Sequence, residues 1–266
     1  MKILLFFFKH ILWFFLLTIL TQIGGIVYLS FLFLNRKLKI SSKLKSLILF
    51  FGLYLFTTLI IVPFIAPFFG REQVSHQQNI KPTNYLTILL NRNYVKPELN
   101  KILQKTAKEV KNKGVKIHYL DANFPFINKF PLLPHLSHND GRKIDLSFIY
   151  QDKEGNIVSK QKSNSGYGVF EAPNPTETNQ INNCLKKGYW QYGYAKYVTF
   201  GSINSDLSFS KKGTKTLIQS LLKHKEIQKI FIEPHIKQRL YLNHEKIRYH
   251  GCQAVRHDDH IHLQIN

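Results

Sequence analysis

The last ten residues contain the densest group of side chains in the chain that can do chemistry. His257, His260 and His262 fall within six positions. Imidazole is the commonest metal-binding side chain in proteins, so a group this dense indicates a metal site.

The residues around these histidines alternate between apolar and polar, which is typical of a half-buried strand. Ile261, Leu263 and Ile265 would lie on the core face, and His260 and His262 on the opposite face. Two successive residues on one strand face are about 7 Å apart, so both imidazoles can approach one cation. A polar edge strand would give the same pattern, and the pair alone does not decide between them.

A second group of candidate ligands lies near residue 140. His138 and Asp145 are seven positions apart, and Gly141 between them lets the chain turn back. Alternation at 144–150 predicts a strand with Asp145 on its open face. Together with His262 these residues supply two imidazoles and one carboxylate. Such a set leaves the fourth tetrahedral position of zinc to water, as hydrolytic zinc sites require. The strands at 144–150 and 260–265 must then be neighbours in one sheet.

The polar part of the chain predicts mixed helices and strands, an α+β fold. A helix begins at Pro97 and stops before Gly114, because proline suits a first helical turn and glycine a helix end. Glycine, asparagine and proline dominate 163–175, which predicts a loop that borders a cleft. Further elements are predicted as strands at 115–120 and 229–232, a hairpin turn at 152–156, and helices at 214–224 and 234–242.

Two long stretches without a charged residue, 11–34 and 46–70, precede this part. Each is long enough for a membrane-spanning helix, which needs about 20 apolar residues. The first is too long for a cleaved signal peptide and no small-residue cleavage site follows it. We therefore expect a two-helix membrane anchor at 1–70, a tether at 71–82 and a folded domain at 83–266.

The basic loop at 35–45 orients this anchor. It carries five cations, and short basic loops stay in the cytoplasm by the positive-inside rule. With two spans, the chain from Arg71 onward and the short N-terminus would both lie on the outer side. Lys2 and Lys9 oppose this placement of the N-terminus, but they are outnumbered.

The charge of the chain indicates an anionic partner. Lys and Arg number 37 against 16 Asp and Glu, and all the acids follow residue 70. A basic domain beside a membrane favours anionic lipid or cell-wall polymer as its partner, and an exported location argues against nucleic acid. A solvated basic face would explain the charge equally well. Cys184 and Cys252 can pair in an oxidising compartment or serve as small buried hydrophobes, and the sequence leaves both open.

Three motifs make the chain resemble the LAS zinc metallopeptidases, a family named for lysostaphin, D-alanyl-D-alanine peptidases and the hedgehog signalling domain. The motifs are the His-x-x-His-x-x-Gly-x-x-x-Asp run that begins at His135, the stretch Ile-Phe-Ile-Glu-Pro-His-Ile-Lys at 230–237, and the terminal His-x-x-His-x-His. They follow one another in this order within 119–266. The branch that they match best is that of the penicillin-insensitive murein endopeptidases. This resemblance implies an antiparallel sheet with flanking helices.

The resemblance also assigns roles to residues. It implies one zinc ion per domain, which activates a water for attack on the scissile carbonyl. His260 would position that water or accept its proton. His135 and His257 would orient ligands or stabilise the oxyanion. The implied zinc ligands are His138, Asp145 and His262.

The expected function is that of a membrane-anchored zinc peptidase of the murein endopeptidase or DD-carboxypeptidase type. It would hydrolyse D-Ala-containing bonds of peptidoglycan peptides, with the domain on the periplasmic side of the cytoplasmic membrane. The alternative is a zinc-containing domain that binds the cell wall without cleaving it, as the hedgehog domain shows is possible on this scaffold.

The chain departs from the family pattern in two ways. The carboxypeptidase branch has a glutamate three residues before its last ligand, and Asp259 occupies that position here, so Asp259 competes with His260 for the role of base. Strand alternation favours His260 and would turn Asp259 to the other face. The membrane spans are also absent from the usual pattern.

The remaining candidates are expected to be structural. A salt bridge is the expected role of Glu233, although it could face the cleft. Tyr167, Trp190, Tyr192 and Tyr194 could contact a peptide but suit a core. Histidines to which the resemblance assigns no role are expected to stay away from the metal, namely His10, His76, His118, His224, His235, His244 and His250.

Overall fold

The structure is a computed structural model that describes residues 2–77, 79–197 and 199–266, without the side chains of residues 2 and 3. The described chain forms two compact units. The first unit comprises the residues up to Val74 together with Leu86–Pro97 and Ala122–Gly141. The second comprises Ser75–Tyr85, Glu98–Asp121 and Arg142–Asn266.

The α-helices are α1 (Lys2–Thr21), α2 (Gly24–Lys37), α3 (Lys43–Phe56), α4 (Val62–Ile65), α5 (Leu86–Leu89), α6 (Pro97–Lys111), α7 (Gln180–Lys186), α8 (Lys211–Leu222) and α9 (Pro234–Arg239). A π-helical turn at Thr57–Ile61 joins α3 to α4, and 3₁₀-helices cover Ala66–Phe69 and Trp190–Tyr197. The strands are β1 (Glu72–Gln73), β2 (Ile80–Pro82), β3 (Tyr94–Val95), β4 (Ile117–Tyr119), β5 (Lys143–Ser147), β6 (Tyr150–Gln151), β7 (Ile157–Val158), β8 (Ser208–Phe209), β9 (Ile227–Phe231), β10 (Ile247–Arg248) and β11 (His260–Ile265).

The predicted span at 11–34 is wrong as a single helix, because the chain reverses in its middle. α1 ends at Thr21, Gln22 has a φ of 67°, and α2 runs back along α1. Glycine makes this close return possible, since a Cβ on Gly25 would lie 2.0 Å from Thr18 Oγ1 and 2.7 Å from the Phe14 carbonyl oxygen. The Nδ1 of His10 and the hydroxyl of Tyr28 join the two helices at 2.7 Å.

In the described chain, two helical stretches are long and apolar enough to cross a membrane, Leu4–Thr21 and Lys43–Phe69. Their number agrees with the prediction, and the position of the first does not. α3 begins beside the end of α2, where Ser46 Oγ donates to Asn35 Oδ1 at 2.8 Å. The longer stretch ends at Gly70, which has a φ of 69°.

The start of α1 lies at the same end of these helices as the basic loop at 35–45. Lys9 of α1 and Lys43 of α3 line one groove, and the hairpin of α1 and α2 brings the chain back to that end. The prediction from sequence placed the N-terminus and that loop on opposite sides of a membrane, whereas the helices bring Lys9 and Lys43 to one end. The same end now collects Lys9 and the loop cations, which the positive-inside rule favours.

The outer segments of the first unit pack on the far end of the helices. Gln22 Oε1 accepts from the Phe126 N–H at 2.8 Å, and the Tyr54 hydroxyl donates to the Leu89 carbonyl at 2.6 Å. The predicted tether at 71–82 is wrong, because Arg71 is buried and donates to the Phe124 carbonyl. Within the predicted tether, Glu72–Gln73 form β1, which pairs with β3. Ile80–Pro82 form β2, which belongs to the second unit.

Among the described residues of the second unit, six strands form one sheet in the order β10-β9-β11-β5-β4-β2. β11 pairs antiparallel with both β5 and β9, and β4 pairs antiparallel with β5. The two edge pairs, β10 with β9 and β2 with β4, are parallel. The expected antiparallel pairing is thus present at the centre of the sheet and absent from its two edge pairs. One face is apolar core, with Ile144, Leu146, Ile261 and Leu263 fully buried.

The predicted α+β class is confirmed, together with most element positions. β5 and β11 are neighbours, the turn at 152–156 joins antiparallel β6 and β7, and α6, α8 and α9 lie where helices were predicted. Cys184 and Cys252 form a disulfide, which decides the alternative that the sequence left open. It joins α7 to the chain before β11, beside buried Ile181 and Tyr192.

Candidate metal centre

The register of β5 against β11 positions the candidate ligands. His262 lies opposite Asp145, and His260 lies opposite Ser147. Partners in an antiparallel pair project to the same face, so these four side chains share the face opposite the apolar core. The sequence prediction that His260, His262 and Asp145 meet on one sheet face is confirmed.

Asp145 holds this cluster together. Its Oδ1 lies 2.8 Å from His262 Nδ1, and its Oδ2 accepts from the Tyr167 hydroxyl at 2.7 Å. All three side chains are buried. Burying a carboxylate is costly unless charges and donors compensate it, so an imidazole and a phenol on its two oxygens are a strong restraint on its position.

His138 is oriented by the backbone. Its Nδ1 lies 2.7 Å from the Ala122 carbonyl, which can only accept, so Nδ1 carries the proton and Nε2 the lone pair. One ligand atom from each of His138, Asp145 and His262 lies within 4.8 Å of the others. These three buried residues form a group that could hold a metal ion.

The donor set fits zinc. Zinc bonds of 2.0–2.1 Å place ligand atoms of a tetrahedral site roughly 3.4 Å apart, a separation that small side-chain movements would reach from the observed arrangement. Two imidazoles and a carboxylate match hydrolytic zinc sites, and a histidine fixed through its second nitrogen to a carbonyl is typical of a metal ligand.

His260 lies beside this group and is fixed by Asp259. His260 Nδ1 is 2.5 Å from Asp259 Oδ1, and its Nε2 is 3.7 Å from Asp145 Oδ2. The other oxygen of Asp259 accepts from the Gly168 N–H at 2.6 Å. Asp259 therefore does not turn to the opposite face, as strand alternation had suggested, because the strand begins only at His260. It contacts the residue with which it was expected to compete.

Burial and neighbouring charge oppose each other at His260 but act in the same direction at His257. Burial alone would lower the pKa of His260, but the carboxylates of Asp259 and Asp145 outweigh it and raise the pKa to about 9. Burial lowers the pKa of His257 well below its ordinary value, and the nearby His260 and His262 add to this effect. His257 is thus the neutral imidazole of the pair.

The two predicted supporting histidines lie in different surroundings. His257 is buried, with its ring 4.9 Å from that of His260 and 5.7 Å from that of His262. His135 is only partly buried and packs against His138, with 5.6 Å between ring centroids. His250, which was expected to be structural, lies 6.4 Å from the His262 ring.

A second layer of buried charge holds the segment before β11. Glu233 accepts from the His257 N–H at 3.0 Å and from the Tyr192 hydroxyl at 2.6 Å. Asp258 is fully buried, where Arg256 Nε donates to it at 2.6 Å and His235 lies 3.5 Å away. Glu233 therefore bonds to the backbone of a site residue, a role different from the expected salt bridge.

Sequence reasoning did not identify Tyr167 as a partner of Asp145, nor Gly168 and Asp258 as supports of the site. A signal for the first two existed in Gly166-Tyr167-Gly168 within the predicted cleft loop. Both glycines have positive φ, and a Cβ on Gly168 would lie 2.3 Å from the Ala195 carbonyl oxygen. Only glycine lets this loop approach closely enough for its N–H to reach Asp259.

No protein-family model matches the chain, and no curated protein matches its sequence. The resemblance to the LAS metallopeptidases accordingly rests on the three motifs and on the side chains that they place together.

Proposed function

We propose that this protein is a membrane-anchored zinc metallopeptidase that hydrolyses D-Ala-containing bonds of peptidoglycan peptides, as murein endopeptidases do. The observation that carries this proposal is the buried group of His138, Asp145 and His262 with His260 beside it. A purely structural zinc site is usually closed by four protein ligands, whereas this group offers three and sets a histidine next to them.

Different side chains of the site would perform different steps of the proposed reaction. Bound zinc would polarise the scissile carbonyl and acidify a water. His260 would accept the proton of that water through Nε2, since its Nδ1 faces Asp259. A cation bound to Asp145 would weaken the field of that carboxylate on His260 and would lower the pKa of His260 towards the range that a general base needs. Neutral His257 would donate a hydrogen bond to the developing oxyanion.

The anchor and the disulfide support an extracytoplasmic site. Apolar side chains such as Phe6, Phe33 and Phe64 are exposed on the helices, as they would be against lipid. The Cys184–Cys252 disulfide suits an oxidising compartment such as the periplasm. We place the basic loop at 35–45 and the start of α1 in the cytoplasm. Anionic lipid or wall polymer remains the proposed contact of the basic outer surface, and nucleic acid is not a proposed partner.

The test uses the whole chain in detergent micelles, since residues 86–97 and 122–141 pack with the helices and a protein truncated at residue 71 would lose that support. We expect one zinc per chain by elemental analysis, and release of cross-linked muropeptides from purified sacculi, detected by mass spectrometry. Chelation should abolish release, and added zinc should restore it.

Each outcome of this experiment is informative. Activity that persists after complete removal of the metal would overturn the proposal. One bound zinc without hydrolysis, together with binding to sacculi, would favour the alternative of a non-catalytic wall-binding domain. Absence of zinc would exclude both.

A further inference from the structure

A polar cavity of about 240 Å³ opens in the second unit, away from the candidate metal ligands. Lys81, Thr83, His118, Ser159 and Lys160 are among the residues that line it, and none of the described lining residues is acidic. Its surroundings are cationic, because Lys116 also acts electrostatically on both Lys81 and His118.

The register of the sheet places this cavity on the same face as the metal centre. Lys81 of β2 pairs with His118 of β4, and Tyr119 pairs with Leu146. His118 therefore lies opposite Ser147, which in turn lies opposite His260. Neighbouring strands are about 4.8 Å apart, so the row from Lys81 to His260 spans roughly 14 Å.

Hydrogen bonds connect the cavity wall to this row. Gln161 accepts from the Ser147 hydroxyl and donates through Nε2 to His118 Nδ1 at 3.0 Å. Burial, followed by the charges of Lys81 and Lys116, lowers the pKa of His118 to about 3, so this imidazole is neutral. Its Nε2–H then donates to Ser159 Oγ at 2.8 Å, and the Ser159 proton is directed to another acceptor.

Two independent observations indicate that the cavity takes an anion. Thr83 Oγ1 is buried and has no hydrogen-bond partner among the described residues, which is costly unless a ligand supplies one. Burial lowers the pKa of Lys81 and the nearby charge of Lys116 lowers it further. A bound anion would relieve both effects, because it compensates the lysine charges and accepts from the threonine hydroxyl.

We propose that this cavity binds a carboxylate group of the substrate, with Lys81 as its ion-pair partner and the hydroxyls of Thr83 and Ser159 as donors. The inference rests on the proposed function, because the substrate is the one cleaved at the metal centre. A span of roughly 14 Å corresponds to about four residues of extended peptide, so the recognised carboxylate lies about that far from the scissile bond. A peptide that lacks it would bind less tightly.

The first experiment measures binding without turnover. Glutarate is titrated calorimetrically into the full chain in detergent micelles after chelation of metals, and inorganic phosphate is titrated in a parallel arm. We expect Lys81→Gln to raise the Kd for glutarate about tenfold, the loss of one charge-assisted hydrogen bond. Lys81→Arg should largely restore binding. The control Lys153→Gln, at an exposed hairpin turn, makes the same change in charge and should leave the Kd unaltered.

The outcomes separate this inference from the proposed function. Glutarate that binds equally to the wild-type chain and to Lys81→Gln would overturn the carboxylate site, as would clearly tighter binding of phosphate. A second measurement follows hydrolysis of cross-linked muropeptides. Lys81→Gln should raise KM about tenfold with kcat unchanged, and an unchanged KM in an active enzyme would contradict the inference alone. Binding of glutarate that depends on Lys81, without any hydrolysis, would overturn the proposed function and leave an anion site.

Discussion

The helical region at 4–69 and the central sheet distribute polarity in opposite ways. On the helices, large apolar side chains such as Phe33 and Phe64 are exposed, and buried polar groups such as Gln22 and Thr58 are few. In the sheet, Asp145 and His262 are almost fully buried and apolar residues fill the other face. The helices match an apolar solvent, whereas the sheet encloses polar groups that must satisfy one another.

This contrast teaches where each region is sensitive. In the helices, stability depends on close backbone approach at small residues, since lipid provides little hydrophobic driving force between helices. In the sheet, chemistry depends on a connected set of buried charges, and removal of one member leaves another buried without its partner. Substitutions in the sheet should therefore change metal binding or turnover, and substitutions in the helices should change stability.

The largest effect is expected from Asp145→Asn. The amide removes the only carboxylate of the candidate ligand set, so zinc should be lost and hydrolysis should fall to background. Elemental analysis and muropeptide release measure both. The control Asp206→Asn, at an exposed loop position, should keep its zinc. If Asp145→Asn retains stoichiometric zinc, the sheet cluster is not the metal site, and the sheet would not differ from the helices in metal binding.

The second effect is expected from His260→Ala. The chain should keep its zinc, and kcat should fall about 10²–10⁴-fold, the range that general acid–base catalysis contributes. Asp259→Asn should retain zinc as well and lose less activity, because Asp259 acts through His260. Loss of zinc from His260→Ala would instead make His260 a ligand.

The third effect concerns the helices. Gly25→Leu places side-chain atoms where Thr18 and the Phe14 carbonyl already lie, and overpacking of this kind costs about 1–3 kcal/mol. Gly52→Leu is the matched control, because a Cβ there meets nothing within 4 Å. Thermal unfolding in detergent should show a lower Tm for Gly25→Leu only, with zinc content unchanged in both. Equal Tm values would show that close packing at Gly25 does not stabilise the hairpin of α1 and α2.

The smallest effect is electrostatic and concerns the ion pair of Glu177 with Arg239. The bonds from Arg239 lower the pKa of Glu177 to about 2. Its contribution to stability is therefore complete above pH 4.5 and is lost as the pH falls towards 2. Glu177→Gln should cost about 1 kcal/mol at pH 6 and progressively less at pH 4 and pH 3. A cost independent of pH would exclude the ion pair as its cause, and Glu154→Gln, at an exposed position, serves as the control.

Much of the site was predictable because its residues lie on strands with clear alternation. The pattern around His262 fixed which side chains share a face, and the similar pattern at 144–150 did the same for Asp145. The helix reversal at Gln22 was not predicted, although Thr21-Gln22 and Gly24-Gly25 interrupt the apolar run, because an uncharged stretch of this length also fits one long span. The partnership of Asp259 with His260 escaped prediction since alternation applies only inside a strand.

The sequence by itself determined the ligand types, their strands, the apolar helices and the strongly basic charge, because periodicity and composition are local properties. Only the tertiary structure decided which residues support the site. Tyr167 reaches Asp145 and Gly168 reaches Asp259 from a loop distant in sequence, and Cys184 meets Cys252 across 68 positions. Contacts of this kind depend on how strands and loops pack, which no local pattern records.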